Sequence, residues 1–510
     1  MGEKDYFITT AISYPNGRPH IGHAYEAIAT DFLARFRRLD GERVYFMTGT
    51  DEHGLKIAQA ARAAGQEPKT YVDGMVGHFQ AMIDRLDVSP DRFIRTTDAD
   101  HKACVREFWR RMAAKGDVYL GRYEGWYSVR DEAYYDAEEL NEADDGTKLA
   151  PTGTAVEWTV EESWFFRLSA YQQPLLDLYA ANPEWVQPAS RMNEMRAFVE
   201  RGLQDLSVSR TSFDWGVPVP DSPGHVMYVW LDALVNYLTA SGWPAAGWET
   251  RWPADLHVVG KDVVRFHAIY WPAFLMSAGL PLPKAIFGHG FVLNRGEKMS
   301  KSLGNVVEPF SLSELFGVDP LRYFLLRAIP FGQDGEWSHE AIARRINADL
   351  ANDLGNLAQR TLSMIAKNCD GRVPPDGPAT DADRALLTSV AGLRAETRAA
   401  VERVAIHAAL DAVWAKVAET NAYLNEMVPW TLRKSDPARA DVVLYHAAEA
   451  VRQIALFVQP AMPASAAKLL DQLGVAVDAR GFDAAHSALR PGDPLPPPEG
   501  VFPRWVASAD

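Results

Sequence analysis

The sequence is short of the residues that build covalent or metal cross-links. Its 510 residues include only two cysteines, Cys104 and Cys369, which are far apart and form no CxxC pair. This shortage argues against a disulfide framework and against a structural zinc site, and it is typical of a reducing compartment.

Long apolar runs and an excess of basic residues are also missing. The most apolar stretch, residues 266–283, contains His267 and three prolines, so it is too short and too interrupted to cross a bilayer. No basic segment followed by an apolar one opens the chain, so we expect no signal peptide and a cytoplasmic location. The net charge of −15 leans against non-specific nucleic-acid binding, although a local basic stripe could still contact RNA.

What is present is an alternation of strands and helices. Residues 5–12 and 43–48 are typical of buried strands, and the helix predicted between them runs from His20 to about Asp40, with Gly41 after its end. Its apolar residues recur every fourth position, at Ala24, Ile28, Phe32 and Phe36. Further strands are predicted at 254–260 and 285–291, with a helix over 262–277 between them.

The rest of the chain breaks this pattern. Residues 115–225 are rich in aromatic and acidic residues and predict an inserted domain of strands and short helices. From residue 338 the pattern is helical. It has an apolar stripe at Ile342, Ile346, Leu350, Leu354 and Leu357, a helical run over 385–424, and a helix over 437–459 that Asp436 caps. The proline-containing tail, 486–510, is either an extended strap or disordered.

These patterns predict an α/β fold with a doubly wound parallel sheet, split by an insertion and followed by a helical bundle. The predicted parts are a first half of the catalytic domain (1–114), an insertion (115–225), a second half (226–290), a loop and connecting region (291–337), a helical domain (338–485) and the tail (486–510).

Two short motifs carry the chemistry. His20-Ile21-Gly22-His23 lies at a predicted helix start, where free N–H groups and the helix dipole favour phosphate. Lys298-Met299-Ser300-Lys301-Ser302 places two lysines in a loop between glycines, suited to holding pyrophosphate during reaction. Each motif alone is also compatible with an ordinary solvated surface.

In this order and spacing the two motifs resemble those of the class I aminoacyl-tRNA synthetases. The resemblance implies a nucleotide-binding fold with a connective insertion and a helical anticodon-binding domain. It implies attack of an amino-acid carboxylate on the α-phosphate of ATP, with Mg²⁺ accompanying ATP. The implied catalytic residues are His20, His23, Lys298 and Lys301, and the implied ATP-binding residues are Gly22, Gly260, Asp262, Lys298, Ser300 and Lys301.

The flanking sequences look like those of methionyl-tRNA synthetases, notably Ala11 to Gly17, Thr48 to Gly54, Val229 to Leu234, and Gly260-Lys261-Asp262. The resemblance implies that Asp51 pairs with the α-ammonium of methionine. The implied side-chain pocket consists of Ala11, Ile12, Tyr14, Trp230, Ala233, Leu234, Tyr237, Val263 and His267. Aromatic walls suit a thioether, although Trp230 and Tyr237 taken alone favour ordinary core packing.

In the helical part, the resemblance implies that Asn356, Arg360 and Trp430 recognise the anticodon of methionine tRNA, both initiator and elongator. Unpaired bases are held by stacking on aromatic rings and by edge hydrogen bonds, which these three side chains offer. A tryptophan in a helix bundle is, however, more often part of the core.

Two departures from the family pattern lead to further expectations. The stretch around Tyr127-Ser128-Val129-Arg130-Asp131 lacks the cysteines of a zinc knuckle, so we expect a metal-free knuckle held by Tyr and Arg/Asp contacts. The chain ends shortly after Arg504, without the dimerising module of some relatives, so we expect a monomer.

Three alternatives stay open at this point. The first is a class I synthetase for cysteine, leucine, isoleucine or valine, although the expected editing insertion or zinc ligands are missing. The second is a shorter type of adenylating enzyme, such as a pantothenate synthetase. The third is a non-enzymatic RNA-binding protein derived from a synthetase.

Overall fold

The computed structural model describes residues 4–131, 133–294, 296–298 and 306–506. The chain divides into two compact units, each made of several segments. The first comprises Met1–Pro19, Tyr45–Asp84 and Ser89–His289, and the second comprises His20–Val44, Arg85–Val88 and Gly290–Asp510. No helix within the described ranges is long and apolar enough to cross a membrane.

A six-stranded sheet forms the centre of the first unit. Its strands in chain order are β1 (Tyr6–Thr10), β2 (Val44–Thr50), β3 (Arg92–Arg95), β4 (Val186–Gln187), β5 (Leu256–Gly260) and β6 (Ile286–His289). Their spatial order is β3-β2-β1-β5-β6-β4, and the paired registers are parallel. The predicted parallel sheet is confirmed, and its four predicted strands differ from the observed ones by a few residues at their ends.

Helices lie between these strands along the chain. Those of the first unit are Leu55–Ala63, Pro68–Arg85 (apart from its last residue), Ala99–Lys115, Gln172–Ala181, Ala189–Glu200, Val229–Leu234, Asn236–Ser241 and Trp271–Ala278. One large apolar cluster includes Phe7 of β1, Phe108, Trp252 and Trp271, all almost completely buried.

The helix predicted over 262–277 has a different start. A π-helical turn covers Phe266–Tyr270, and the α-helix follows at Trp271–Ala278. The physical reason is Pro272, which has no N–H to donate to the carbonyl of Ala268 four residues earlier. The hydroxyl of Tyr179 donates to that carbonyl instead, at 2.7 Å.

The residues predicted as an insertion contain a second, antiparallel sheet. Its long strands are Val118–Ser128 and Glu157–Phe166, flanked by Ala133–Tyr135 and Leu206–Ser207. The same stretch of chain also supplies β4, which pairs with β6 at the edge of the main sheet.

The knuckle at the end of this second sheet is organised around one carboxylate. Asp131 accepts hydrogen bonds from the hydroxyls of Ser128, Tyr135, Thr152 and Thr154. These bonds outweigh the effect of burial and lower the pKa of Asp131. The described part of the chain contains no group of three His, Cys, Asp or Glu side chains placed to hold a metal ion.

A buried arginine completes the knuckle. The guanidinium of Arg210 lies 4.7 Å from the ring centroids of Tyr134 and Tyr228 and 5.5 Å from that of Tyr127. The predicted Tyr, Arg and Asp contacts are therefore present, but the arginine is Arg210 rather than a residue of the knuckle itself. The three Ser and Thr hydroxyls were not predicted.

The second unit is mainly helical. Its helices are Ile21–Leu39, Pro309–Phe316, Val318–Ala328, His339–Arg345, the π-helical Ile346–Gly355, Asn356–Asn368, Asp381–Ala391, Leu393–Glu402, Ile406–Met427, Pro429–Ser435, Pro437–Val458 and Pro463–Gln472. Short strands lie at Val292–Asn294, Glu297–Lys298 and Gly335–Glu336. The first helix confirms its prediction: all four residues of its apolar stripe are buried, and Gly41 follows it with φ of +94°.

Two predicted helices of this unit are also confirmed in detail. The stripe from Ile342 to Leu357 is buried throughout, and its four-residue spacing is kept on one face by the wider π-helical turns of Ile346–Gly355. The Asp436 side chain caps Pro437–Val458 by accepting from the N–H of Arg439 at 3.0 Å. The run predicted over 385–424 is three helices rather than one, broken near Gly392 and at Val404, whose φ of +55° no helix accommodates.

A buried arginine joins four parts of the second unit. Arg322 has no exposed surface and uses all five of its N–H donors. The acceptors are Asp31 Oδ2 at 2.7 Å, Leu86 O at 2.9 Å, Asp87 O at 3.1 Å, Pro460 O at 3.0 Å and Ala461 O at 3.0 Å. Asp31 lies on the helix that begins after His20, so this guanidinium attaches that helix to the C-terminal helices.

The tail is an extended strap as far as it is described, to residue 506. Gly492 donates to Val373 O at 2.9 Å, and Val373 in turn donates to Asp493 O at 2.9 Å. Phe502 is buried, and the N–H of Trp505 donates to Asn347 Oδ1 at 2.8 Å. Of the two predicted outcomes for this tail, the extended strap is the one observed.

Candidate active site

The carboxyl ends of adjacent parallel strands bring several predicted residues to one edge of the main sheet. Ala11 and Ile12 follow β1, Asp51 follows β2, and Gly260 is the last residue of β5. Since these three strands are neighbours, residues far apart in sequence meet here. All of these residues belong to the first unit.

The loop that carries Asp51 is held by its buried neighbour Glu52. The Glu52 carboxylate accepts two hydrogen bonds from Arg95, at 2.7 and 2.8 Å, and one each from Thr50 and Thr97. The N–H of Asp51 itself donates to Ser13 O at 2.9 Å. The backbone on both sides of Asp51 is therefore fixed, and its carboxylate, 6% exposed, is presented from a rigid turn.

A second buried carboxylate lies next to this loop. Asp232 Oδ2 is 2.6 Å from His53 Nδ1, and Asp232 Oδ1 is 2.8 Å from His101 Nε2. Sequence reasoning missed all three residues. The available signal was the charged Asp232 within the otherwise apolar Val-Trp-Leu-Asp-Ala-Leu, since an ionised side chain in a buried segment requires partners.

The aromatic side chains predicted for the pocket pack in a defined way. Trp230 stacks on Phe266 with 3.7 Å between ring centroids and 4° between the planes. Trp230 is also edge-on to His267, at 6.4 Å. This arrangement leaves Trp230 half-buried, whereas Tyr237 and His267 are almost fully buried.

The hydrogen bonds of His267 determine which atoms carry protons. Burial lowers the pKa of His267 to about 4, so the ring is neutral near pH 7. Its Nδ1 lies 2.9 Å from Val263 O, which can only accept, so Nδ1 carries the proton and Nε2 is an acceptor. The Tyr237 hydroxyl, 2.7 Å from Nε2, therefore donates to His267.

The nine predicted pocket residues thus fall into two groups. Four are buried in the first unit: Ala233, Leu234, Tyr237 and His267. Five are half-buried and pack against the same apolar cluster: Ala11, Ile12, Tyr14, Trp230 and Val263. The more accessible five are therefore the ones that a ligand could reach first from this edge of the sheet.

The His20-Ile21-Gly22-His23 motif forms the start of the first helix of the second unit. The Nδ1 of His20 accepts from the N–H of Gly22 at 3.0 Å, and the Nδ1 of His23 accepts from the N–H of His20 at 3.1 Å. The two imidazoles therefore cap the helix reciprocally, as Ser and Glu do in a capping box. Because both Nδ1 atoms accept, each neutral ring carries its proton on Nε2, the nitrogen that points away from the cap.

Gly22 is required by this cap. A Cβ on Gly22 would lie 2.8 Å from Cε1 and 2.9 Å from Nδ1 of His20, closer than non-bonded carbon atoms approach. The family pattern assigns Gly22 to ATP binding. The structure shows a second reason for a glycine here, because a side chain at this position would displace the His20 ring. A comparable relation holds at Gly260, where a Cβ would lie 2.7 Å from Asp262 Oδ1.

The lysine-containing motif is described only at its beginning. Glu297–Lys298 pairs antiparallel with Val292–Asn294, with Leu293 opposite Lys298. The side chain of Lys298 and residues 299–305, among them Ser300 and Lys301, lie outside the described residues.

The three predicted anticodon residues lie together in the second unit. Arg360, one turn after Asn356 on the helix Asn356–Asn368, places its guanidinium 5.1 Å from the Trp430 ring centroid. Arg360 Nη2 also donates to Asn425 Oδ1 at 3.1 Å, a contact that sequence reasoning missed. Trp430 is 43% exposed, so the alternative of a core tryptophan is wrong.

Comparison with protein-family models gives two matches that together cover most of the chain. Residues 6–362 match the family described as tRNA synthetases class I (M). Residues 373–508 match the family described as anticodon binding domain of methionyl tRNA ligase.

Individual relatives agree over the full length. The chain is 57% identical to a methionine–tRNA ligase of Brucella suis, covering 99% of both proteins, and 58% identical to one of Mycobacterium bovis, covering 98% of both. Among solved structures, it is 57% identical to Mycobacterium tuberculosis methionyl-tRNA synthetase in complex with methionyl-adenylate. That match has a TM-score of 0.96 and covers 98% of this chain and 100% of the other.

The neutral state of His267 predicts a pH dependence of stability. The pKa of this group is about 4 in the folded protein, against an ordinary value of 6.5, so the unfolded chain binds more protons between these pH values. Its contribution to the free energy of unfolding is complete above pH 6.5 and is lost as the pH falls to about 4. At about 1.4 kcal/mol per pKa unit, the total loss is about 3–4 kcal/mol.

Urea unfolding at several pH values between 4 and 7 measures this effect against the His267→Gln variant. Glutamine keeps an acceptor for the Tyr237 hydroxyl but does not titrate, so we expect the variant to have the flatter pH dependence. Equal slopes in the two proteins would show that His267 does not titrate in this way.

Proposed function

Because the chain belongs to the class I tRNA synthetases of the methionyl type, we propose how its residues divide the work of a methionine–tRNA ligase. The enzyme activates methionine with ATP to methionyl-adenylate and pyrophosphate, and then transfers the methionyl group to tRNA. The full-length identity to methionine–tRNA ligases carries this conclusion. The residue roles below are our proposal.

His20 and His23 stabilise the triphosphate during activation. Their reciprocal cap directs both Nε2–H groups away from the helix end, and the helix N-terminus adds the positive end of its dipole. Negative charge shifts onto pyrophosphate as the methionine carboxylate attacks the α-phosphate, so donors fixed in advance lower the barrier. Lys298 and Lys301 supply positive charge to the same phosphates, and Ser300 donates through its hydroxyl.

The adenosine part of ATP is bound by Gly22, Gly260 and Asp262. The absence of a side chain at the two glycines lets the His20 ring and the Asp262 carboxylate lie close to the backbone, and Asp262 offers an acceptor for ribose hydroxyls. Mg²⁺ arrives with ATP, because this ion keeps much of its water shell and is usually bound through substrate phosphates.

Methionine is held at two points in the first unit. Asp51 pairs with the α-ammonium group from its rigid turn. The nine pocket residues enclose the side chain, and Trp230 supplies a flat aromatic surface for the thioether. Since the Tyr237 proton is directed to His267, recognition of the sulfur depends on shape and aromatic contact more than on a hydrogen bond.

Asn356, Arg360 and Trp430 bind the anticodon of initiator and elongator methionine tRNAs. The exposed Trp430 offers a stacking surface, and Arg360 contributes both a cation next to that ring and hydrogen-bond donors. The domain division given above follows these roles, with 1–114 and 226–290 catalytic and 338–485 recognising tRNA. The expectations of a monomer and of a cytoplasmic location stay predictions.

Amino-acid-dependent exchange of pyrophosphate into ATP tests the activation step. We expect exchange with methionine and at least a hundredfold less with cysteine, leucine, isoleucine or valine, because a branched or shorter side chain would fill the aromatic pocket poorly. Charging of purified methionine tRNA should follow. Absence of exchange with methionine would contradict the proposed function.

The Lys301→Ala variant tests the role of the lysine loop. We expect it to keep the wild-type Kd for methionine and to lose adenylate formation by about a hundredfold to a thousandfold, the usual effect of removing one transition-state donor. Rapid-quench measurement of adenylate and calorimetry of methionine binding give the two values. Lys468→Ala, which removes an exposed lysine of the helix Pro463–Gln472, is the control, and equal rates in the two variants would refute the role.

The Trp430→Ala variant tests anticodon recognition. Loss of one stacked base costs about 1–3 kcal/mol, so we expect the Kd for an RNA hairpin carrying the CAU anticodon loop to rise roughly 5- to 150-fold. Methionine-dependent exchange without tRNA should be unchanged. Trp158→Ala removes another exposed tryptophan, 54% exposed and in the first unit, and should leave hairpin binding at the wild-type level.

A further inference from the structure

The carboxylate of Asp232 is bonded by side chains from two other parts of the first unit. Its oxygens contact His53, on the loop after β2, and His101, on the helix Ala99–Lys115. His101 Nδ1 is in turn 3.1 Å from the hydroxyl of Thr239, on the helix Asn236–Ser241. None of these side chains is more than 5% exposed.

The carboxylate is ionised in this setting. Burial alone would raise the pKa of Asp232, but the two histidines hold it well below its usual range. An ionised carboxylate can only accept hydrogen bonds, so His53 donates through Nδ1 and His101 through Nε2. Both oxygens are therefore needed as acceptors, a requirement that an amide does not meet.

The short helix that carries Asp232 has few other polar anchors. Val229–Leu234 has six residues and no side-chain hydrogen bond at its cap, and Asp232 is its only charged residue. Apolar packing holds such a helix in place but permits small shifts, because it has no direction. The two directed bonds of Asp232 define the position of the helix. They therefore also define the positions of Trp230, Ala233 and Leu234 on the same helix.

The contact between Asp232 and His53 joins this helix to the loop that carries Asp51. His53 is two residues beyond Asp51, and its carbonyl accepts from the Tyr14 hydroxyl at 2.8 Å. The loop is already anchored by Glu52 and by the N–H of Gly54, which donates to Trp215 O at 3.0 Å. The contact between His53 and Asp232 therefore ties the helix Val229–Leu234 to a loop that is anchored independently.

We propose that Asp232 is a positioning residue for methionine, and that the His53–Asp232–His101 contact sets the place of Trp230 relative to Asp51. This inference rests on the proposed function, in which Asp51 binds the α-ammonium and Trp230 contacts the side chain. Methionine engages both ends at once, so its affinity depends on their spacing. A ligand that uses only one end is much less sensitive to that spacing.

The Asp232→Asn variant tests the proposal with calorimetry and steady-state exchange. We expect the Kd and KM for methionine to rise at least tenfold, with the KM for ATP unchanged. The analogue 4-(methylsulfanyl)butanoate lacks the α-ammonium, and its Kd, measured by competition, should rise less than threefold. Glu449→Gln is the matched control, since Glu449 is an equally buried carboxylate bonded to Arg452, Gln453 and Leu489 in the second unit.

A second pair of variants keeps the test decisive if Asp232→Asn folds poorly. His53→Asn retains a donor at the position of Nδ1 and should bind methionine within threefold of the wild type. His53→Leu removes the donor and should raise the Kd at least tenfold. Wild-type methionine Kd and KM in both Asp232→Asn and His53→Leu would overturn the proposal. Absence of methionine-dependent exchange in the wild type would instead refute the proposed function.

Discussion

The guanidinium of Arg322 is the group on which the second unit depends most. A buried cation is unfavourable unless every donor is satisfied, and Arg322 meets this condition with one carboxylate and four backbone carbonyls. Its partner Asp31 also accepts from Arg35 at 2.7 Å, and Arg35 contacts Asp87 Oδ1 at 3.0 Å, so two guanidiniums are matched by two carboxylates. The helix that presents His20 and His23 is consequently attached to the C-terminal helices by directed bonds as well as by apolar packing. This contact fixes the position of the helix whose N-terminus we propose as the phosphate-binding element.

The first unit uses buried carboxylates for a similar purpose. Glu52 holds the turn of Asp51 from one side, and Asp232 joins that turn to the helix of Trp230. Neither carboxylate is proposed to touch a substrate. Each carboxylate fixes the backbone next to a residue that is proposed to contact the substrate. The entropic cost of ordering the site therefore arises during folding rather than during binding. The capping histidines follow the same logic, because their bonds to the N–H groups of Gly22 and His20 fix the orientation of both imidazole rings in advance.

Local patterns in the sequence were informative wherever the structure is local. The parallel strands, the first helix with its stripe, and the Asp436 cap all follow from residues a few positions apart. The π-helical turn before Trp271 was missed. Pro272 cannot donate to the carbonyl of Ala268, and the donor that replaces it, the Tyr179 hydroxyl, comes from a distant helix. The break at Val404 was missed because a valine with positive φ has no local signature. For Asp232 the sequence offered one signal, a charge within an apolar segment, but its partners His53 and His101 come from two other segments and could not be assigned from it.

The sequence by itself determined the order of the elements, the two motifs, and the residues from which the resemblance to methionyl-tRNA synthetases follows. It also singled out Asn356, Arg360 and Trp430 as candidates, and the fold places Arg360 next to the exposed Trp430 ring. Only the tertiary structure decided which side chains satisfy Asp232, which nitrogen of His53 and His101 donates to it, and how Asp51 and Trp230 are connected. The physical reason is that helix and strand periodicity are short-range properties of a chain. Hydrogen bonds to buried charges are formed between segments that become neighbours only when the chain has folded.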